Sequence, residues 1–138
     1  MSKMSYPVSP KEYTDGLCYF ARMCDKVRLS KAGELPKDYH NNLGKGMDLW
    51  TCQLLEVEYE EFSEKVKTGL SNLEVLKWAY SAGRKPSSHL TDWWNSYMRN
   101  RGVNDDLSEK LAMRIAESGF ENRGIVSFFD YLDADEER

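Results

Sequence analysis

Arg22, Asp25, Lys26 and Arg28 place three cations and a carboxylate along two turns of one segment, and a glycine-bearing stretch, LPKDYHNNLGKGMDLW, follows from Leu35 to Trp50. Guanidinium and ammonium groups beside backbone that glycine lets approach closely are the parts of a site for a small carboxylate or phosphate metabolite. On that reading Arg22, Lys26 and Arg28 face Gly44 and Gly46. The alternative is structural: Asp25 lies within i, i+3 reach of both Arg22 and Arg28, and an ion-pair network would fasten the stretch to the helix. Were the site catalytic, Asp48 or His40 would serve as general base and Arg22 or Arg28 as the anion clamp.

Several other chemistries fail on spacing. A phosphate loop built on Gly44-Lys45 needs glycine where Tyr39 stands and a hydroxyl where Gly46 stands, and no strand leads into it. Asp133, Asp135 and Glu137 alternate like the first ligands of a calcium loop, but Arg138 holds the glycine position. The residue types at 130–137 read instead as a solvated acidic end, or as a surface that meets basic side chains elsewhere. His40 and His89 lack the i, i+3 or i, i+4 partners of a helical metal site, so no metal and no cofactor is expected. No Gly-x-Ser-x-Gly elbow is present. Cys18, Cys24 and Cys52 are odd in number and show no Cys-x-x-Cys spacing, which fits reduced, buried thiols better than disulfides or a zinc clip.

The elements that must carry these residues read as helices throughout. Glycine and proline divide the chain into helix-length pieces, and none alternates with period two. Ser9-Pro10 opens a first helix running toward Gly33, with Gly16 breaking or bending it. On this helix Phe20, Met23, Cys24 and Val27 share an apolar side, while Arg22, Asp25, Lys26 and Leu29 share the opposite one; a leucine among charges implies that the charged side is partly covered. Met47 to Leu55 is a short helix, and Tyr59, Phe62 and Val66 give the next its stripe. Ser71-Asn72-Leu73-Glu74 is a capping box. Pro86-Ser87-Ser88 starts a helix whose Leu90, Trp93, Trp94, Tyr97 and Met98 recur as a core-facing stripe, and Asn95 beside those aromatics needs hydrogen-bond partners, backbone in a neighbouring loop being the natural source. Asp106 with Glu109 caps another helix, and a short aromatic piece from Val126 to Leu132 precedes the end of the chain.

The expectation is therefore an all-α, compact single-domain bundle of about six helices over residues 1–138, with one long ordered loop between the first and second, a flexible segment 1–8 and an acidic C-terminal tail 133–138. A chain of 138 residues with 41% hydrophobic residues closes such a core without disulfides. Its 19 basic and 23 acidic side chains give a charge of -4, which is not the footprint of a nucleic-acid binder. No apolar run approaches the roughly 20 residues of a membrane span or the core of a signal peptide, so neither membrane nor export is expected and the cytoplasm is.

Taken together, Ala21-Arg22, Asp25-Lys26-Val27-Arg28, Leu35-Pro36, Asp38-Tyr39, Leu43-Gly44, Gly46, Asp48, Trp94-Asn95, Arg101-Gly102 and the ending from Phe128-Phe129-Asp130 to Arg138 resemble a bacterial family of unknown function, DUF5069, from about Ser9 onward. The resemblance implies a stand-alone bacterial domain and supplies no reaction. Two departures stand out: Leu54-Leu55-Glu56 occupies the place of the family's Phe-Leu-Gly, and Glu137 the place of a glycine. The positions named by the resemblance overlap those picked by chemistry, and one arrangement unites them: Asp130 and Asp133 fold back toward Arg22, Lys26 or Arg28, and the parts surround one polar site or buried network. The candidate ligand-binding set is Arg22, Asp25, Lys26, Arg28, Tyr39, Gly44, Gly46, Asp48, Asn95, Asp130 and Asp133. The function expected is a non-catalytic binding or interaction module, with a small anionic metabolite or a protein as partner; the small-molecule enzyme is the alternative.

Overall fold

Asp15 and Gly16 both take positive φ, 48° and 79°, the backbone of a two-residue hairpin turn. The chain doubles back there, pairing β1 (Tyr13–Thr14) antiparallel with β2 (Leu17–Cys18), Tyr13 opposite Cys18 and Thr14 opposite Leu17. The first helix therefore does not run from Pro10. In the computed structural model, which describes residues 5–138, α1 spans Phe20–Lys31 and starts from Tyr19, whose φ of 72° is left-handed. Residues 1–4 of the segment expected to be flexible lie outside the described residues. The rest of it is tied down: Pro7 is buried, and the Val8 N–H donates to Asp25 Oδ2 at 3.0 Å.

Six further α-helices follow: α2 (Met47–Leu55), α3 (Tyr59–Lys67), α4 (Asn72–Ala82), α5 (Ser88–Arg99), α6 (Ser108–Ser118) and α7 (Phe128–Asp135). The fold is all-α in essence, with the hairpin as its only sheet among the described residues and seven α-helices rather than six. The capping box at Ser71 and Glu74 is formed, and Ser87 caps α5. Before α6 the expected cap by Asp106 is not formed: the N-cap is Leu107 with no side-chain cap, and Asp105 instead holds the preceding turn, its oxygens accepting from the N–H groups of Gly102 and Leu107, each at 2.9 Å. The stretch from residue 35 to 50 is ordered as expected, but it holds a 3-10 helix, Lys37–Asn42, before the chain turns into α2. Gly44 is needed in that turn. Its φ is 75°, and a Cβ there would sit 2.8 Å from Cδ1 of Tyr59.

The core forms around α1, which packs against α3 and α4. Phe20, Met23, Cys24 and Val27 meet Phe62 and Val66 of α3 and Val75, Leu76 and Ala79 of α4; Phe20 and Phe62 pack edge to face at 5.6 Å. Each large apolar side chain removed from water here contributes roughly 1.5–3 kcal/mol before entropy is counted. On α5, Trp94 and Met98 face this core, whereas Trp93 is 64% exposed and meets the His89 ring at a tilt of 56°, so the aromatic stripe is narrower than its spacing suggests. Asn95 binds backbone as anticipated, accepting from the Cys18 N–H at 3.0 Å and donating to the Gly16 carbonyl at 2.7 Å, which clips the hairpin to α5.

Residues 133–138 are not a solvated tail. Ser127 and Asp130 form a second capping box that starts α7, the helix runs to Asp135, and Glu136 is 3% exposed. α6 lies outermost, burying only Leu111 and packing on α7. The pair α6 and α7 forms one wall of a cleft whose other wall is α1, the 3-10 helix and the start of α2.

Candidate functional site

Arg22 and Lys26 lie one turn apart on α1, so both project from one side of the helix, and both are buried, at 3% and 7% exposure. Each is matched by a carboxylate that no local spacing announces. A buried charge is tolerated only when paired and hydrogen-bonded, and the two pairs are built from different parts of the chain.

Lys26 Nζ lies 2.7 Å from Asp48 Oδ1 and donates to the Tyr19 hydroxyl at 3.2 Å, while that hydroxyl donates to Asp48 Oδ1 at 2.6 Å. The Gly44 N–H donates to Asp48 Oδ2 at 3.0 Å. Asp48 is 0% exposed, in the first turn of α2, and both its oxygens are satisfied. Burial lowers the pKa of Lys26 below the usual lysine value, an effect that Asp48 offsets only in part. Burial, reinforced by the Asp48 charge, raises the Tyr19 phenol well above the usual tyrosine value.

Arg22 meets Glu136 side by side, Nη1 to Oε1 at 2.7 Å and Nη2 to Oε2 at 2.6 Å, and Nη1 also donates to the Val8 carbonyl at 3.2 Å. Tyr39 donates its hydroxyl to Glu136, and Arg138 Nη1 reaches Glu136 Oε1 at 2.7 Å. Arg138 also donates to the Pro7 carbonyl, so the two ends of the described chain are joined through this carboxylate. Burial alone would raise the Glu136 pKa, but the hydrogen bonds and charge of Arg22, with Tyr39 and Arg138, hold it below the usual glutamate value.

The acidic end thus folds back on the first helix, but through Glu136. Asp130 does not meet Arg22, Lys26 or Arg28: it caps α7 and pairs with Lys11 at 2.7 Å, and Asp133 stands 3.5 Å from the same Lys11 and 3.3 Å from Arg138. Asp25 holds the Val8 N–H and forms no salt bridge with Arg22 or Arg28; Arg28 turns the other way and donates to the Leu70 carbonyl at 3.2 Å. His40 contacts the Leu35 carbonyl at 2.9 Å, and Asn95 serves the hairpin. The expected single polar site is therefore two adjoining networks, with Arg28, Asn95 and His40 outside both.

Between the walls lies a cleft of about 440 Å³. Of the candidate set, Arg22, Lys26, Tyr39 and Gly46 line it, while Asp48 stands behind Lys26 and Tyr19. Lys45, Lys110 and Arg114 add three more cations, Asp38 and Asp135 two carboxylates, and Met47, Phe128 and Leu132 an apolar surface. Lys45, Lys110 and Arg114 take part in no salt bridge among the described residues. With Asp48 and Glu136 counted against Lys26 and Arg22, five cations face four carboxylates, an excess of one positive charge in a chain of net charge -4.

Sequence reasoning missed Tyr19, Glu136, Lys110 and Arg114. Two signals were present. Glu136 falls seven residues, two helical turns, after buried Phe129, which sets it on the core-facing side of a helix through 128–135. Lys110 and Arg114 each precede a member of the Leu111 and Ile115 stripe, so they share one flank of α6.

No group of three or more His, Cys, Asp or Glu side chains among the described residues is placed to hold a metal, and no described helix is long and apolar enough to cross a membrane. Comparison with curated proteins gives no match. The arrangement of Arg22, Tyr39, Asp48 and the returning C-terminal segment is that of the chain matched from residue 4 to residue 138 by the model of a domain of unknown function, and the protein belongs to that family, DUF5069.

Proposed function

We propose that this domain binds a small organic anion in the cleft between α1 and the α6–α7 pair, in a cytoplasmic setting consistent with its three free, buried cysteines. The observation that carries the reading is the trio Lys45, Lys110 and Arg114, which converge on one concavity with no carboxylate within salt-bridge distance. Exposed cations gathered without partners repel one another, and a bound anion relieves that repulsion. The excess of one charge matches a single carboxylate. Tyr39 and the Gly46 backbone, with φ 56°, supply a polar rim, and Met47, Phe128 and Leu132 take the carbon skeleton.

Lys110 and Arg114 are exposed on α6, away from the core, so Lys110→Ala with Arg114→Ala tests the site without unfolding the chain. A ligand present at about a hundred times its dissociation constant adds roughly 2.7 kcal/mol. That raises the melting temperature by several degrees for a domain of this size. A shift with acetate, pyruvate or inorganic phosphate in the wild type that vanishes in the double variant is the expected result. Equal shifts in both proteins, or none in either, contradict the reading.

A further inference from the structure

Anion binding alone does not account for the floor of the cleft. Lys26 adds almost no net attraction for an anion, because Asp48 neutralises it at 2.7 Å. Yet an ammonium, a carboxylate and a phenol have been withdrawn from water there, and Tyr19 is held at φ 72°, a conformation that a bulky aromatic residue adopts only under constraint. Constrained backbone and a buried ionisable cluster at the base of a cleft are the marks of a group positioned for chemistry. A desolvated lysine is a nucleophile when a neighbouring base takes its proton, and Asp48 is in contact to do so.

We propose that Lys26 captures the carbonyl carbon of the bound anion as an imine, which makes the ligand a small oxo-carboxylate; this rests on the anion reading above. The proton of the Lys26 ammonium passes to Asp48, and the freed amine forms a C–N bond as the carbonyl π electrons move to oxygen. One N–H proton then moves to that oxygen, giving a carbinolamine. Tyr19, bonded to both Lys26 and Asp48 and lining the cleft, gives its proton to the carbinolamine hydroxyl and takes the one held by Asp48. The C–O bond breaks, water leaves, and the nitrogen lone pair completes C=N. Ammonium plus carbonyl has become iminium plus water, with no oxidant or reductant. The buried charges at the end are those at the start, an iminium cation against the Asp48 carboxylate, so the site need not reorganise.

Lys26 is the group that touches the reacting carbon; Tyr19 moves protons and Asp48 acts through them. The test is reductive trapping of the whole protein with glyoxylate and borohydride, followed by mass-spectrometric mapping of carboxymethylated lysines. Expected is one adduct per chain, on Lys26, at glyoxylate concentrations that leave exposed Lys110 and Lys45 unmodified. Tyr19→Phe slows labelling at Lys26 by about a hundredfold, the range of a lost proton relay. Labelling confined to exposed lysines, or labelling of Lys26 at the same rate in Tyr19→Phe, overturns the proposal. An acetate shift with no Lys26 adduct sinks the imine and leaves the anion site standing; absence of both sinks the two together.

Discussion

Replacing Glu136 by glutamine keeps the shape of the side chain and removes its charge, leaving Arg22, 3% exposed, facing a neutral amide. Glu136 accepts from Arg22 twice, from Tyr39 and from Arg138, and an amide cannot accept through its NH₂. Breaking a buried pair from one side costs about 3–5 kcal/mol because an uncompensated charge remains. That is a large share of the ~5–15 kcal/mol by which domains of this kind are stable. Equilibrium urea denaturation of Glu136→Gln against wild type measures it directly. The double replacement Arg22→Met, Glu136→Leu serves as control, since an apolar pair of similar volume recovers much of the loss. A Glu136→Gln penalty under about 1 kcal/mol, the scale of an exposed pair, refutes the reasoning. The pH dependence has a definite sign. The folded state holds the Glu136 pKa below its unfolded value, so this pair stabilises fully above that value, near 4.5, and its contribution fades as pH falls below it. Loss of stability on going from pH 6 toward 3 is expected to be shallower in Glu136→Gln; equal slopes contradict it.

Three more predictions test other parts of the account. Glu56 (φ 57°) and Glu137 (φ 68°) stand in left-handed backbone where the family resemblance shows glycine, so Glu56→Gly and Glu137→Gly each stabilise the fold by roughly 0.5–1 kcal/mol by relief of strain, read from the denaturation midpoint; Glu56 loses only a 3.6 Å exposed pair with Arg84. At Gly83 a Cβ would drive into the carbonyl oxygens of Leu55 and Glu56, the latter at 2.7 Å, and both belong to backbone. Gly83→Ala is therefore expected to cost about 3 kcal/mol, a figure typical of overpacking, and a neutral result there would show that the contact between the ends of α2 and α4 is soft. Cys18, Cys24 and Cys52 are buried with their thiols pushed up to about 12 by desolvation, so a thiol-specific disulfide reagent at pH 8 labels none of the three in the native protein and all three after unfolding.

Local signals in the sequence located the helices that end in recognisable chemistry. Ser71 with Glu74 and Pro86 before Ser87 fix where α4 and α5 begin, and a large aromatic neighbourhood told that Asn95 must bind backbone. The hairpin was hidden because two-residue strands carry no periodicity; only the Asp15-Gly16 pair announced it. α7 reads short in the sequence because Asp130, which closes a capping box with Ser127, also belongs to the acidic run that follows. For the site, helical spacing correctly grouped Arg22 with Lys26, but Arg28, expected beside them, turns away to the Leu70 carbonyl, and spacing cannot say which carboxylate from elsewhere neutralises which cation. Asp48 and Glu136 lie 22 and 114 residues from their partners in sequence, and that pairing is decided by how α2 and α7 pack on α1.

Binding in the cleft is most directly measured by titrating isotopically labelled protein with pyruvate and following backbone amide resonances residue by residue. The account predicts that the largest saturable shifts fall together on Tyr39, Gly46, Arg114 and Leu132, and that they are lost in the Lys110→Ala, Arg114→Ala protein. Shifts scattered over the surface without saturation, or a cluster elsewhere that the double variant keeps, would contradict it.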